Sequence, residues 1–243
     1  WFSHLLMNLK EEMNTNMVGF LYSGADTAGF GDHTTPDLAL RWLELGIFSP
    51  LLRNHSSRRL RRQEFYLFGM EDAFRGMLKL RYALIPYIYS EFVKAVLRDD
   101  LLFKPLSFVY EDDAAAKQVE DQAMLGESVM IAPVYEQNAD GRYVYVPEDM
   151  KLYRFRSPED YDTKVLAKGR YYIHTALNEV LLFVRKGHAV PFADVKDVLS
   201  TADLRTDTLT ALKYDESPVS YELYDDDGFT REISEAGIRT IPF

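Results

Sequence analysis

The sequence contains no cysteine, and this absence excludes several kinds of site. A chain of 243 residues without a thiol has no disulfide, no thiolate metal ligand and no cysteine nucleophile. The absence of cysteine leaves the cellular compartment open, with the cytoplasm slightly favoured.

Positive charge is also scarce. Lysine and arginine number 28 against 38 aspartates and glutamates, which gives a formal net charge of -10 and a pI near 5.0. Because lysine and arginine carry most binding to phosphate groups, we expect neither a nucleic acid nor a membrane as a partner. A neutral or cationic ligand suits this charge better.

Long apolar runs are missing as well. No stretch approaches the roughly 18 uninterrupted apolar residues that a membrane-spanning helix needs. The longest helical candidate carries charges at Lys79, Arg81, Glu91 and Lys94. Since 47% of the residues are hydrophobic, we expect a soluble globular chain that buries a sizeable core.

The start of the sequence shows neither a methionine nor a signal peptide. It opens with Trp1-Phe2, inside a helical pattern of apolar residues. We interpret the chain as a segment of a longer protein.

Helices and strands alternate through the first hundred residues. Residues 17–22 and 47–52 are apolar runs of strand length, typical of strands buried on both faces. Thr35-Pro36-Asp37 is a helix start signal, with a hydroxyl N-cap and proline at the first helical position. A long helix is predicted from about Glu71 to Leu97, with a kink at Pro86. This order is typical of an α/β domain.

From about Pro105 the pattern changes to short runs with two-residue alternation. Residues 128–134, 143–146 and 180–184 are such runs, and turn residues separate them. This spacing predicts a β-sandwich. Two glycine-containing segments, 138–141 and 225–228, are predicted to be hairpin turns.

These patterns divide the chain into three predicted parts. The α/β order that gives way to β structure suggests that residues 1–107 are the last strands and helices of a (β/α)8 barrel. The sites of such barrels lie at the carboxyl ends of their strands. Residues 108–198 would form a proximal β-sandwich domain, and residues 199–243 the start or remnant of a distal β domain ending soon after residues 221–224. The predicted fold class is therefore α/β plus all-β.

Two segments resemble a known family. Residues 24–30 (Gly-Ala-Asp-Thr-Ala-Gly-Phe) and 52–56 (Leu-Arg-Asn-His-Ser) are similar to the final barrel strands of the family 31 glycoside hydrolases, which include α-glucosidases and α-xylosidases. The pair Thr27-Ala28 replaces a commoner aliphatic-small pair of the family. Four later segments extend the resemblance in the same order: residues 80–89, 125–134, 182–191 and 221–228.

The resemblance implies retaining hydrolysis of an α-glycosidic bond by two carboxyl groups about 5 to 5.5 Å apart. The family's nucleophile and acid/base aspartates both belong to segments that precede Trp1, so we expect no catalytic residue in this chain. An N-terminal portion of the same enzyme is then a required partner that completes the barrel. The sequence leaves the oligomeric state open.

The most favoured function is an exo-acting α-glucosidase that releases terminal α-linked glucose from oligosaccharides. An α-xylosidase and an α-glucosyltransferase of the same family stay open as alternatives. A non-catalytic carbohydrate-binding or scaffold module is the alternative from another class.

Three side chains carry the expected substrate contacts. Asp26 would order the subsite that holds the non-reducing sugar, because a carboxylate accepts from hydroxyl or arginine donors. Phe30, which looks buried in the sequence, would form an apolar wall of the site. His55 would hydrogen-bond a hydroxyl of the bound sugar ring.

Other polar groups have simpler interpretations. Asp32-His33, combined with Asp26 and His55, matches no usual metal-ligand spacing, and residues 225–228 lack the spaced ligands of a calcium loop. No metal and no cofactor are expected. The arginine-rich loop after His55 is interpreted as a solvated face. Its arginines are Arg58, Arg59, Arg61 and Arg62.

Overall fold

The computed structural model describes residues 1–59 and 62–243. Arg61 of the arginine-rich loop lies outside the described residues. The α-helices are α1 (Phe2–Met17), α2 (Pro36–Gly46), α3 (Glu71–Leu97) and α4 (Leu106–Val109). The first seven strands are β1 (Asp26–Thr27), β2 (Arg53–Asn54), β3 (Phe103–Pro105), β4 (Ala123–Leu125), β5 (Val129–Ile131), β6 (Gly141–Val146) and β7 (Met150–Ser157). The next seven are β8 (Asp160–Leu166), β9 (Gly169–His174), β10 (Val180–Arg185), β11 (Ala189–Phe192), β12 (Thr210–Lys213), β13 (Ser220–Tyr224) and β14 (Ile238–Pro242).

Strands β1 and β2 pair in parallel, with Asp26 opposite Arg53 and Thr27 opposite Asn54. The predicted strands at 17–22 and 47–52 are wrong, because both paired segments lie just after those apolar runs. Ile47 instead continues the turn of α2, and its amide donates to the carbonyl of Leu43 at 2.9 Å. Short apolar runs indicate burial, and they do not separate strands from buried helix ends.

Helix α2 begins where the sequence predicts. Thr35 is the N-cap in an extended conformation, and Pro36 follows at the first helical position. The hydroxyl cap expected from Thr35 is not formed within the described chain. The Thr35 carbonyl accepts from the Ala39 amide at 2.9 Å, which is the first hydrogen bond of the helix. Since the hydroxyl makes no cap, the fixed φ of Pro36 is the stronger start signal.

Helix α3 has the predicted bounds and contains Pro86. The Ser90 hydroxyl donates to the Pro86 carbonyl at 2.7 Å. The Arg81 guanidinium donates to the carbonyls of Ile47 and Ser49 at 2.8 and 2.7 Å. Arg81 therefore fixes the connection between α2 and β2, and with it the position of β2.

The β domain contains a six-stranded antiparallel sheet in the order β3-β4-β5-β10-β7-β8. Alternate residues of β10 enter different cores. Leu182 and Val184 belong to the core shared with α3, whereas Leu181 and Phe183 face the core shared with the β6–β9 pair. The two-residue alternation read in the sequence thus gives a sheet that is covered on both faces.

The last part of the chain forms two more antiparallel pairs, β11 with β12 and β13 with β14. The β11–β12 pair crosses the predicted boundary between residues 198 and 199. The domain boundaries remain predictions. The expected end of structure after residues 221–224 is wrong, because β14 pairs with β13 as far as Pro242.

The two predicted hairpin turns have different outcomes. Residues 225–228 open the connection 225–237 of the β13–β14 hairpin, where Gly228 has the predicted positive φ (71°) and the Asp226 carboxylate accepts from the Gly228 amide at 2.9 Å; the connection is longer than predicted. In residues 138–141 the left-handed φ belongs to Asn138 (59°), while Gly141 begins β6, which pairs with β9. In residues 1–59 and 62–243, every helix is too short or too polar to cross a membrane.

Candidate functional site

The carboxyl ends of β1 and β2 bring the three sequence-predicted site residues to one edge. The rings of Phe30 and His55 lie 5.4 Å apart between centroids, at an angle of 37°. Asp26 sits in β1 at the base of the same loop. Phe30 is 49% exposed, so its buried appearance in the sequence is misleading. Its ring is open to a ligand.

Asp26 is bound across the two strands. Its Oδ1 accepts a hydrogen bond from Nε of Arg53 at 2.5 Å, and this bond raises the pKa of Arg53. The Asp26 side chain is 14% exposed, against 56% for Arg53. A carboxylate has about four acceptor positions, so the pairing leaves capacity for a ligand hydroxyl.

The loop after β1 makes a tight turn in the left-handed region of φ. Ala28 has φ of 71° and Gly29 has φ of 86°, and the Gly29 amide donates to the Asp26 carbonyl at 3.2 Å. This φ is uncommon for a residue with a Cβ, so the turn holds local strain at Ala28. A Cβ on Gly29 would lie 3.6 Å from the Trp42 ring. Phe30 follows this turn, and its ring contacts that of His55.

Gln63, which the sequence analysis missed, ties the two loops together. Its Nε2 donates to the carbonyls of Gly29 and His55, both at 3.0 Å. The backbone carbonyl of Gln63 accepts from Asn54 Nδ2 at 3.0 Å. The side chain is buried, with 3% of the residue exposed. A lone glutamine in a loop has no sequence pattern that could have identified it.

The Phe30 and Ser57 backbones add a further link between the same loops. The Ser57 amide donates to the Phe30 carbonyl at 2.9 Å. With the Gln63 bonds, this contact fixes the backbone on both sides of the Phe30–His55 ring pair. Binding groups that are held in place before a ligand arrives lose less entropy on binding.

A buried polar cluster supports the loop from α1. Glu12 is 2% exposed, and its Oε1 accepts from Ser49 Oγ at 2.8 Å and Asn8 Nδ2 at 2.7 Å. Asn8 Oδ1 in turn accepts from Trp42 Nε1 at 2.9 Å, and Trp42 lies under Gly29. Burial raises the pKa of Glu12 to about 7. The hydrogen bonds from Ser49 and Asn8 and the charge of Arg81 act in the opposite direction, but their effect is smaller than that of burial.

This shift predicts a pH-dependent effect of Glu12→Gln on stability. The folded protein binds the Glu12 proton more tightly than the unfolded chain, so wild-type stability falls as the pH rises from about 4.5 to about 7. The amount is on the order of 3 kcal/mol. Glutamine is neutral throughout this range. The melting temperature of wild type should therefore fall relative to that of the variant between pH 5 and pH 8. A difference that stays constant over this range would contradict a titrating Glu12.

The polar groups interpreted as non-functional have local partners. Asp32 Oδ1 accepts from the His33 amide at 2.7 Å. Asp227 Oδ1 accepts from the amides of Phe229 and Thr230, and these bonds lower the pKa of Asp227 to about 2. Among the described residues, no group of three or more histidines, aspartates and glutamates could hold a metal ion.

Comparison with known proteins identifies the family to which the two parts of the chain are similar. The model of the "Glycosyl hydrolases family 31 TIM-barrel domain" matches residues 1–91, and that of the "Glycosyl hydrolase family 31 C-terminal domain" matches residues 99–190. Together the two models cover both the parallel strand pair and most of the β domain. The predicted fold class, the end of a (β/α)8 barrel followed by β-sandwich structure, is confirmed.

Individual relatives agree with this match. "Alpha-glucosidase 2" of Bacillus thermoamyloliquefaciens is 33% identical over 95% of this chain and 29% of its own length. "1,6-alpha-glucosyltransferase" of Sporosarcina globispora is 31% identical over 84% of this chain and 16% of its own length. A chain in the crystal structure of the "ER glucosidase II heterodimeric complex consisting of catalytic subunit and the binding domain of regulatory subunit" superposes with a TM-score of 0.83 at 26% identity, over 94% of this chain and 25% of its own.

The chain spans less than a third of the length of these relatives, which are larger polypeptides. In sequence, in fold and in the order of its segments, it belongs to family 31 of the glycoside hydrolases.

Proposed function

We propose that this chain is the C-terminal part of a retaining, exo-acting α-glucosidase and supplies one side of its sugar-binding site. The observation that carries the proposal is the edge at the carboxyl ends of β1 and β2. There, in a chain of family 31, Asp26, Phe30 and His55 stand on two loops that Gln63 ties together. Carboxyl ends of barrel strands are where the active sites of such barrels lie.

The chemical step itself belongs to the upstream part of the enzyme. In retaining hydrolysis one carboxylate attacks the anomeric carbon while a carboxylic acid protonates the leaving oxygen. Water then hydrolyses the covalent glycosyl-enzyme, and the second group acts as the base. Because neither carboxyl group is assigned to this chain, its own residues bind and orient the sugar.

The three side chains divide that work by their chemistry. Asp26 accepts hydrogen bonds from sugar hydroxyls, with Arg53 holding its carboxylate in place at 2.5 Å. The exposed ring of Phe30 packs against the apolar face of the sugar and excludes water. His55, in ring contact with Phe30, hydrogen-bonds a hydroxyl of the same sugar. Such contacts speed the reaction when they strengthen as the ring flattens toward the transition state.

The names of the relatives support glucose as the terminal sugar of the substrate. An α-glucosidase and a 1,6-α-glucosyltransferase both act on α-linked glucose, and the sequence of this chain matches both. Glucose is therefore the proposed terminal sugar rather than xylose. Transfer to an acceptor sugar is the second candidate, since the glycosyl-enzyme can react with a hydroxyl in place of water.

Hydrolysis of 4-nitrophenyl α-glucoside tests the proposal. The chain alone is expected to be inactive, whereas the protein with its upstream segment should hydrolyse the glucoside, and more than tenfold faster than the matching α-xyloside. Disaccharide products at high substrate concentration would favour the transferase. Absence of hydrolysis and transfer in the longer protein would sink the enzyme interpretation and leave a binding or scaffold module.

A further inference from the structure

The outer face of the β6–β9 pair carries a row of side chains remote in sequence from the site loops. In this antiparallel pair, Gly141 lies opposite His174, Tyr143 opposite Tyr172, and Tyr145 opposite Arg170. Directly opposed residues share one face of a sheet. Tyr143 is 73% exposed and Tyr172 is 43% exposed, although both lie in the middle of a strand.

These rings form a corner with a fixed shape. Tyr143 and Tyr172 meet edge to face, with centroids 5.1 Å apart and an angle of 73°. His174 meets Tyr172 at 5.0 Å and 77°. The Tyr172 hydroxyl donates to Asp140 Oδ1 at 2.6 Å, and this bond lowers the pKa of Asp140. The corner therefore pairs exposed ring faces with a carboxylate that stays ionised.

A groove of about 390 Å³ with both polar and apolar lining residues adjoins the corner at Tyr143. Tyr135 lines it and donates its hydroxyl to Asp121 at 2.7 Å. The Arg170 guanidinium also lines it, 5.2 Å from the centre of the Tyr145 ring. Lys10 of α1 also lines the groove, and its ammonium group pairs with Glu120 at 2.6 Å. Donors, acceptors and ring faces therefore lie side by side along one continuous surface.

We propose that the Tyr143–Tyr172 corner and the adjoining groove form a second carbohydrate-binding surface, which shares no residue with the β1–β2 edge, for an oligomeric α-glucoside. Sugar rings present apolar faces that pack on aromatic rings and hydroxyls that bond to carboxylates and guanidinium groups. The exposed side chains of this face are Tyr143, Tyr172, His174 and Arg170, whereas Tyr145 is 6% exposed. These polar groups and ring edges do not suit a lipid tail or an apolar helix. The α-glucoside identity of the ligand rests on the proposed function.

Such a surface would hold a long substrate on the enzyme while its end enters the barrel. Its contribution should then appear with polymers and vanish with small substrates, because an aryl glucoside bound in the barrel offers no further sugar to the corner. Two linked binding sites raise the effective concentration of the chain end at the barrel.

Electrophoresis of the complete protein in native gels that contain soluble starch or dextran tests the proposal. Saturating glucose in the gel occupies the barrel site. The wild-type protein should be retarded, and the double variant Tyr143→Ala/Tyr172→Ala should show an apparent Kd raised about fivefold to tenfold. Tyr143→Trp keeps an aromatic face and should retain retardation. Phe229→Ala, which removes an aromatic residue that is 90% exposed in another loop, is the matched control.

The proposal is overturned by no retardation of the wild type, by equal retardation of the double variant, or by retardation only by a β-linked glucan. If equal retardation comes with a lower melting temperature of the double variant, the rings serve packing within the protein. Kinetics on 4-nitrophenyl α-glucoside should be unchanged in the double variant. A protein that is retarded but hydrolyses no glucoside would sink the proposed function and leave this surface standing.

Discussion

Replacing Asp26 by alanine in the complete enzyme is expected to lower kcat/KM for 4-nitrophenyl α-glucoside by about 100-fold. The change removes the proposed acceptor for the sugar hydroxyls, and a hydrogen bond to a charged group contributes about 1.5–3 kcal/mol. It also frees Arg53, whose guanidinium now lies 2.5 Å from the carboxylate. Initial rates over a range of substrate concentrations give the measurement.

Two further variants separate sugar binding from loop structure. Asp32→Ala changes the other aspartate of the same loop and should leave kcat/KM within about twofold of wild type. Asp26→Asn keeps the size and one acceptor oxygen, so the loop should persist while the charge-assisted bonds are lost. Equal kinetics for Asp26→Ala and wild type would show that Asp26 only caps the loop.

A second large effect is expected on stability, from Glu91→Ala on α3. The Glu91 carboxylate lies 2.6 Å from Lys94 Nζ, and the two side chains are 3% and 6% exposed. It also accepts from the Tyr221 hydroxyl at 2.6 Å and the Glu127 amide at 3.0 Å. Removing one partner of a buried pair leaves an uncompensated charge, which costs about 3–5 kcal/mol. A fall of several degrees in the melting temperature of the complete protein is the expected result.

The matched control is Glu222→Ala, which removes a carboxylate paired with Arg98 at 2.7 Å on the surface. Its side chain is 44% exposed, so the loss should stay below about 1 kcal/mol. Glu91 joins three parts of the chain, namely α3, the turn after β4 and strand β13. If Glu91→Ala melted no lower than Glu222→Ala, the buried network would not hold these parts together.

Local patterns in the sequence predict the long elements of this fold and few of the short ones. Helix α3 has the predicted bounds because its 27 residues carry a sustained apolar pattern and a clear end. Strands β1 and β2 have two residues each, too few for any period to appear. Strand β14 is mostly exposed, and only its pairing with β13 defines it.

The candidate site shows the same limit. Asp26, Phe30 and His55 stood out because the segments around them resemble those of a known family. Gln63 and Glu12 did not, since their roles depend on partners distant in sequence. Gln63 bonds Gly29 across 34 positions, and Glu12 bonds Ser49 across 37. The fold brings these groups together, and no local pattern encodes the contact.

The contact between His55 and the reacting sugar is the central claim, and a cycle of enzyme and substrate changes measures it directly. In the complete enzyme, His55→Ala should lower kcat/KM for the α-glucoside by more than tenfold, while His33→Ala should not. Against one monodeoxy α-glucoside, wild type should lose a similar factor and His55→Ala should lose less than about twofold, because the missing hydroxyl would be the proposed partner of His55. Equal losses in both enzymes for every monodeoxy substrate would contradict the account.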